Sequence, residues 1–171
     1  MRIISKIYLV VILLCLSGCG ALKSVFELLP VNVDLKRSLE DYKYFYIIPT
    51  GNKSGTTGSL YNYGYGTYGS TTQASINPAD IISGFLTKKG YIRIPELPGQ
   101  CPEKTFIVNY GESGRRDVGI WGYTLETTIQ FISVSTNEVL CTVSGEGMGS
   151  TEADDIRISI NRCMQSVFEN Q

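Results

Sequence analysis

From Trp121 to Gly149 the chain reads WGYTLETTIQFISVSTNEVLCTVSGEGMG, and within it Leu125, Ile129 and Phe131 alternate with Glu126, Thr128 and Gln130. A period of two sends successive side chains to opposite faces, so this run predicts a half-exposed strand. Thr136 and Asn137 supply a turn, and the returning arm puts Val139, Cys141 and Val143 on one face. The two arms make the longest hairpin expected in the chain. Three earlier runs, YKYFYIIP (42–49), YIRIPEL (91–97) and TFIVNY (105–110), are aromatic and branched enough for further strands. PGQCPEK and GESGRRDVG read as the loops between them.

Two segments change to the helical period. In NPADIISGFLTKKG, Asn77 can cap, Pro78 suits the first helical position and Asp80 favours the positive helix end. Ile81, Ile82, Phe85 and Leu86 form the apolar stripe, and Lys88, Lys89 and Gly90 make a matching carboxyl end. In STEADDIRISINRCMQSVFEN, Thr151 and Asp154 stand at capping-box spacing, with aspartate in place of the usual glutamate or glutamine. Ile156, Ile160, Cys163 and Val167 then recur at i, i+4, i+7 and i+11. Together these elements predict an α+β domain of two layers, a mixed and mostly antiparallel sheet of four to five strands with two helices packed on one face. If the last helix crosses the second hairpin arm, Cys141 and Cys163 face each other, which makes them the candidate disulfide.

Neither period fits residues 51–75, a Gly/Ser/Thr/Tyr tract whose one charge is Lys53. It reads as an insertion. In an extended chain Tyr61, Tyr63 and Tyr65 lie on one face, and with Tyr68 they are the candidate contact residues. Such rings pack into a protein partner or stack on sugar faces, whereas the glycines at 64, 66 and 69 equally suit a flexible loop or hairpin with no specific role.

The chain opens MRIISKIYLVVILLCLSGCG, with Arg2 and Lys6 ahead of an apolar run from Ile7 to Leu16, the layout of a secretory signal. That run is about ten residues, half of what a membrane span needs. Its end, LSGC, resembles the lipobox of bacterial lipoproteins. The resemblance implies that residues 1–18 are removed as a signal peptide and that Cys19 carries palmitate-type acyl chains, a covalent lipid rather than a cofactor. It implies a lipid anchor and tether over 19–41 and a single domain over 42–171. Gly20 follows the cysteine where aspartate marks inner-membrane retention, and GALKSVFELLP lacks an acidic surface-export cluster, so the expected location is the outer membrane, facing the periplasm. A tether of about 22 residues reaches at most about 75 Å, too short for a typical periplasm, which favours an outer-membrane partner.

Loss of the leader removes Arg2 and Lys6 from the 15 basic residues and leaves 13 against 16 acidic ones. No basic run survives to track a phosphate backbone, which argues against nucleic acid as a partner. About 150 residues suffice for one core. The five cysteines reduce to Cys101, Cys141 and Cys163, and with no histidine no metal-site spacing is present. GEGMGSTEADD approaches a phosphate-binding glycine loop, but its strand is expected to be antiparallel, no strand follows, and Glu152, Asp154 and Asp155 oppose phosphate. Its glycines read instead as easing a bend before a capped helix. GESG lacks the nucleophile-elbow pattern, and its serine has no histidine base. Glu112 and Asp117 read as a solvated turn beside Arg115 and Arg116, and Asp154 with Asp155 as partners of the helix dipole. The expectation is a protein that is not an enzyme and binds no metal.

The helix ending LTKKGY, the strand TFIVNY, the hairpin TIQFISVSTNEVLCTVSGEG and the terminal helix, joined to a lipobox, are similar to small envelope lipoproteins of the domain-of-unknown-function 4136 type. More distantly they resemble the TolB amino-terminal and penicillin-binding-protein-activator domains. The likeness covers about Tyr42 to Phe168, departs from the group in the tyrosine tract and in lacking a tryptophan near Cys141, and carries no functional residues over. The expected function is that of a non-enzymatic, membrane-tethered interaction or assembly module of the cell envelope with a protein partner. The alternative is a carbohydrate-binding lipoprotein that holds peptidoglycan or a surface glycan through the tyrosine-rich loop.

Overall fold

The computed structural model describes residues 27–63, 66–97, 104–119 and 122–169, and within 55–74 the backbone alone. In chain order the elements are β1 (Asn32–Leu35), β2 (Tyr44–Ile47), β3 (Lys53–Tyr63), β4 (Gly66–Ile76), α1 (Pro78–Lys88), β5 (Ile92–Arg93), β6 (Thr105–Asp117), β7 (Tyr123–Ser133), β8 (Val139–Gly147) and α2 (Glu152–Glu169). Six strands form one sheet in the order β1-β8-β7-β6-β2-β5, while β3 and β4 form a separate two-stranded sheet. Pairing is antiparallel from β1 to β6 and parallel from β6 through β2 to β5. The α+β architecture is the expected one. Its sheet is wider than four to five strands because a short strand, β1, from the stretch read as a tether, is added at the edge beside β8.

The alternation in β7 survives intact. Leu125, Thr127, Ile129 and Phe131 are buried, and Glu126, Thr128 and Gln130 are half-exposed on the other face. The returning arm departs from its pattern at a bulge, where Phe131 pairs with Cys141 but Ile132 with Val139. The extra residue, Leu140, is fully buried, and Val139 is left half-exposed instead of joining Cys141 and Val143. Phe106 of β6 is the hub of the core: its ring lies 5.4 Å from Tyr91, 5.7 Å from Phe131, 5.8 Å from Tyr42 and 6.1 Å from Phe45. Such pairs add about 0.5–1.5 kcal/mol each beyond the area they bury.

Both helices close as their termini predict. Asn77 Oδ1 accepts the Ala79 amide at 3.0 Å, and α1 stops at Gly90, whose φ of +95° suits glycine. Thr151 Oγ1 accepts the Asp154 amide at 3.1 Å and donates to Asp154 Oδ2 at 3.0 Å. Ile156, Ile160, Cys163 and Val167 of α2 are fully buried in the same cluster as Ile82 and Leu86 of α1.

Two segments differ from expectation. GESGRRDVG, read as a loop, supplies the outer half of β6, paired with β7 as far as Asp117 opposite Tyr123 with an irregularity between Glu112 and Gly114. It holds no apolar alternation because this arm is solvent-exposed; the extended β7 beside it provides the ladder. The stretch 19–41, read as a tether, enters the domain early. Residues Asn32 to Leu35 pair with Ser144 to Cys141, and Leu39 is fully buried, since β8 would otherwise end the sheet as a bare edge.

The tract forms the hairpin β3–β4, a two-stranded sheet apart from the main one. Chain leaves at Thr50 and returns at Asn77, whose Oδ1 accepts the Thr50 hydroxyl at 2.7 Å; the same hydroxyl oxygen accepts the Ala79 amide at 3.1 Å. From the base pair Lys53 and Ile76 the hairpin continues in register to Tyr63 and Gly66, with both arms approaching α2.

Candidate functional site

The outer arm of β6 and the base of the tract meet. Lys53 Nζ lies 2.9 Å from Glu112 Oε1, so the polar arm and the inserted hairpin share one surface. Along that surface Thr128 donates to Ser113 Oγ at 3.0 Å, and Ser113 donates to Glu126 Oε2 at 2.9 Å. Arg115 stacks 4.7 Å above the Tyr123 ring and reaches Glu152 at 3.2 Å. A shallow indentation lined by Glu112, Ser113, Gly114, Arg115 and Leu125 runs through it. This is a wet surface of paired charges and hydroxyls, suited to polar contact with a macromolecule.

Beside it lies a polar cluster that no sequence spacing announces. Arg116 donates from Nε and Nη2 to the two Glu146 oxygens, each at 2.8 Å, and Glu146 is only 5% exposed. The fork-to-fork geometry is the strong form of an ion pair. Glu146 also accepts the Leu29 amide at 3.0 Å, and Arg116 donates to the Glu27 carbonyl at 3.3 Å. From α2, Arg162 donates to the backbone carbonyls of Glu146 and, at 2.8 Å, of Leu29. Two arginines and one glutamate thus fasten residues 27–29 to the end of the sheet. The Arg116 hydrogen bonds hold the Glu146 carboxyl down at about 2 against the cost of its burial. The same contact raises Arg116 above its ordinary value.

The residues singled out from the sequence scatter. Cys19, Tyr65 and Cys101 lie outside the described residues. Tyr61 stands opposite Tyr68 in the hairpin register, and Tyr63 opposite Gly66. Cys141 and Cys163 are both buried free thiols, not a disulfide. Burial pushes each up to about 11. The bulge explains part of this placement, setting Cys141 in register with Phe131 and Leu35, while Cys163 lies over Gly145, where a Cβ would come within 3.0 Å of its sulfur.

The carboxylates do not form an acid–base pair. Glu112 is bound to Lys53, and Asp117 accepts the Gly119 amide at 2.7 Å. Asp154 is held low by the Ser150 and Thr151 hydroxyls; Asp155 is buried, which raises it, and accepts the Gly149 amide. The glycines of GEGMG serve close packing. A Cβ on Gly147 would fall 1.9 Å from the Asp155 carbonyl oxygen, and one on Gly149 would fall 2.5 Å from Asp154 Cβ. Among the described residues no group of three or more His, Cys, Asp or Glu side chains is placed to hold a metal, and no helix is long and apolar enough to cross a membrane.

No protein-family model matches the chain, and no curated protein matches it. Among solved structures, the PelC dodecamer from Paraburkholderia phytofirmans is similar at 13% identity with a TM-score of 0.43, over 81% of this chain and 95% of that one. A single-substitution variant of the same dodecamer gives 15% identity and the same TM-score, over 81% and 92%.

Proposed function

We propose that this chain is a non-enzymatic lipoprotein, anchored through Cys19 in the outer membrane and facing the periplasm, that serves as an interaction or assembly module of the cell envelope. The observation that carries the reading is the hairpin insertion, closed at its base by Thr50 and Asn77 and joined to the exposed β6 arm through Lys53 and Glu112. A segment built this way can engage a protein partner without disturbing the core. The clamp on residues 27–29 adds a geometric consequence. With Glu27 held on the domain, only about eight peptide steps separate it from the lipidated cysteine, at most about 30 Å of extended chain. The module works close to its own membrane.

The test is recovery of the partner from envelope extracts by the lipidated protein and by a variant with Tyr61, Tyr63, Tyr65 and Tyr68 replaced by serine. The reading expects recovery to vanish while the melting temperature holds; unchanged recovery removes the tract from the function. Glycan-array binding lost with the same four tyrosines would instead assign the surface to peptidoglycan or a surface glycan.

A further inference from the structure

We infer that the outer edge of β4 is a self-pairing edge, joining two copies of this chain through antiparallel β4–β4 contact into a four-stranded sheet β3-β4-β4-β3. The inference rests on the interaction-module reading and names a partner for it, a second copy of the chain.

The argument comes from how the molecule treats its strand edges. The six-stranded sheet ends at β1, four residues long and flanked by the Lys36–Asp34 ion pair, and at β5, two residues long and followed by Pro95. Short, charged or proline-ended edges are how monomeric proteins avoid pairing with one another. The second arm of the hairpin, β4, lacks all of these devices. β4 runs 11 residues, GTYGSTTQASI, without a charge or a proline, and among the described residues β3 is its only strand partner. A ribbon of two strands is marginal by itself, and three or more are needed for independent stability. Of the two arms β3 begins at Lys53, which is paired with Glu112, so β4 is the arm whose edge carries no charge.

An edge that meets its own copy antiparallel needs no second surface, because a two-fold axis makes it complementary to itself. The axis passes near Thr71, the middle residue of β4. The 11-residue arms are also long enough to span a bilayer as strands, but alternate residues of β4 read Gly66, Tyr68, Ser70, Thr72, Ala74, Ile76 in one set and Thr67, Gly69, Thr71, Gln73, Ser75 in the other. Neither supplies the apolar band of a lipid-facing strand.

Three forms of the full lipidated chain in mild detergent test this by light scattering: wild type, Thr71→Lys with Gln73→Lys, and Thr71→Glu with Gln73→Glu. Like charges directly opposite one another are destabilising. The wild type is expected to be a dimer, each variant alone to dissociate at least tenfold more readily, and an equal mixture of the two variants to recover the dimer. Recovery on mixing shows that both variants are folded. A monomeric wild type, or variants that dimerise like it, overturns the inference. So does a tract that becomes protease-resistant only when phospholipid vesicles are added, which would assign it to the membrane. A monomeric wild type that still recovers an envelope partner through its tyrosines would end the self-pairing while leaving the module reading intact.

Discussion

The two hairpins of this protein, β7–β8 and β3–β4, have arms of similar length and lie in different sheets. In β7–β8 the inward face is mostly apolar, and the hairpin sits in the middle of the main sheet with Leu125, Ile129, Phe131, Cys141 and Val143 fully buried. In β3–β4 the same alternation carries glycine, serine, threonine and tyrosine, and the hairpin stands in a sheet of its own. Backbone pairing is available to both; the buried apolar residues of β7–β8 give that hairpin its place in the main sheet. Hydrogen bonds add about 1 kcal/mol each net of those lost to water, whereas a buried Leu or Phe adds about 1.5–3 kcal/mol, so side-chain burial decides which hairpin joins the core.

The contrast should be sharpest at glycine. Gly147 of β8 lies where a methyl would meet the Asp155 carbonyl and the Ser159 amide at 1.9 and 2.7 Å, so Gly147→Ala must push α2 off the sheet. We expect a loss of more than about 3 kcal/mol in urea titration, and failure to fold if the margin is small. Gly69→Ala, in the separate two-stranded sheet, should change stability by no more than about 0.5 kcal/mol.

Next in size is the clamp. Glu146→Gln leaves Arg116 without its counter-charge and should cost about 2 kcal/mol, less than a fully buried pair because Arg116 is partly exposed. Its pH signature has a definite sign. Glu146 titrates at about 2 in the folded protein against an ordinary 4.5, so its contribution is complete above pH 4.5 and is lost as pH falls toward 2. Melting curves of the wild type should decline through that window more steeply than those of Glu146→Gln; parallel curves would show that the ion pair contributes nothing.

The thiols give the smallest effect. With Cys141 and Cys163 buried and held up to about 11, neither should react with iodoacetamide at pH 8 until the domain unfolds. Mass spectrometry would show alkylation there only in denaturant, whereas alkylation of the folded protein at either site would contradict the packing of α2 on β8.

Elements that must bury a face were legible in advance. β7, α1 and α2 were readable because their apolar residues recur with one period and the capping residues Asn77 and Thr151 stand where the period starts. Val139 was misplaced because a bulge adds one residue and shifts the alternation without any local mark. The strand through GESGRRD was unreadable for a different reason: residues 111–117 bury no apolar side chain, and their extended form comes from the β7 arm beside them. Of the candidate site, the tract was visible by composition, while the clamp was not. Arg116 and Glu146 lie 30 positions apart, Arg162 and Leu29 lie 133 apart, and each taken alone looks like an ordinary surface residue.

The central claim is that the tract is a contact element carried by a core that does not need it. Thermal unfolding of a chain in which residues 55–74 are replaced by a two-residue Asn-Gly turn tests this most directly, since Lys53, Ile76 and the Thr50–Asn77 closure all remain. The account predicts one cooperative transition within about 3 °C of the wild type, a change of no more than about 1 kcal/mol for a domain this size. A broad, non-cooperative melt would contradict it and make the hairpin part of the fold.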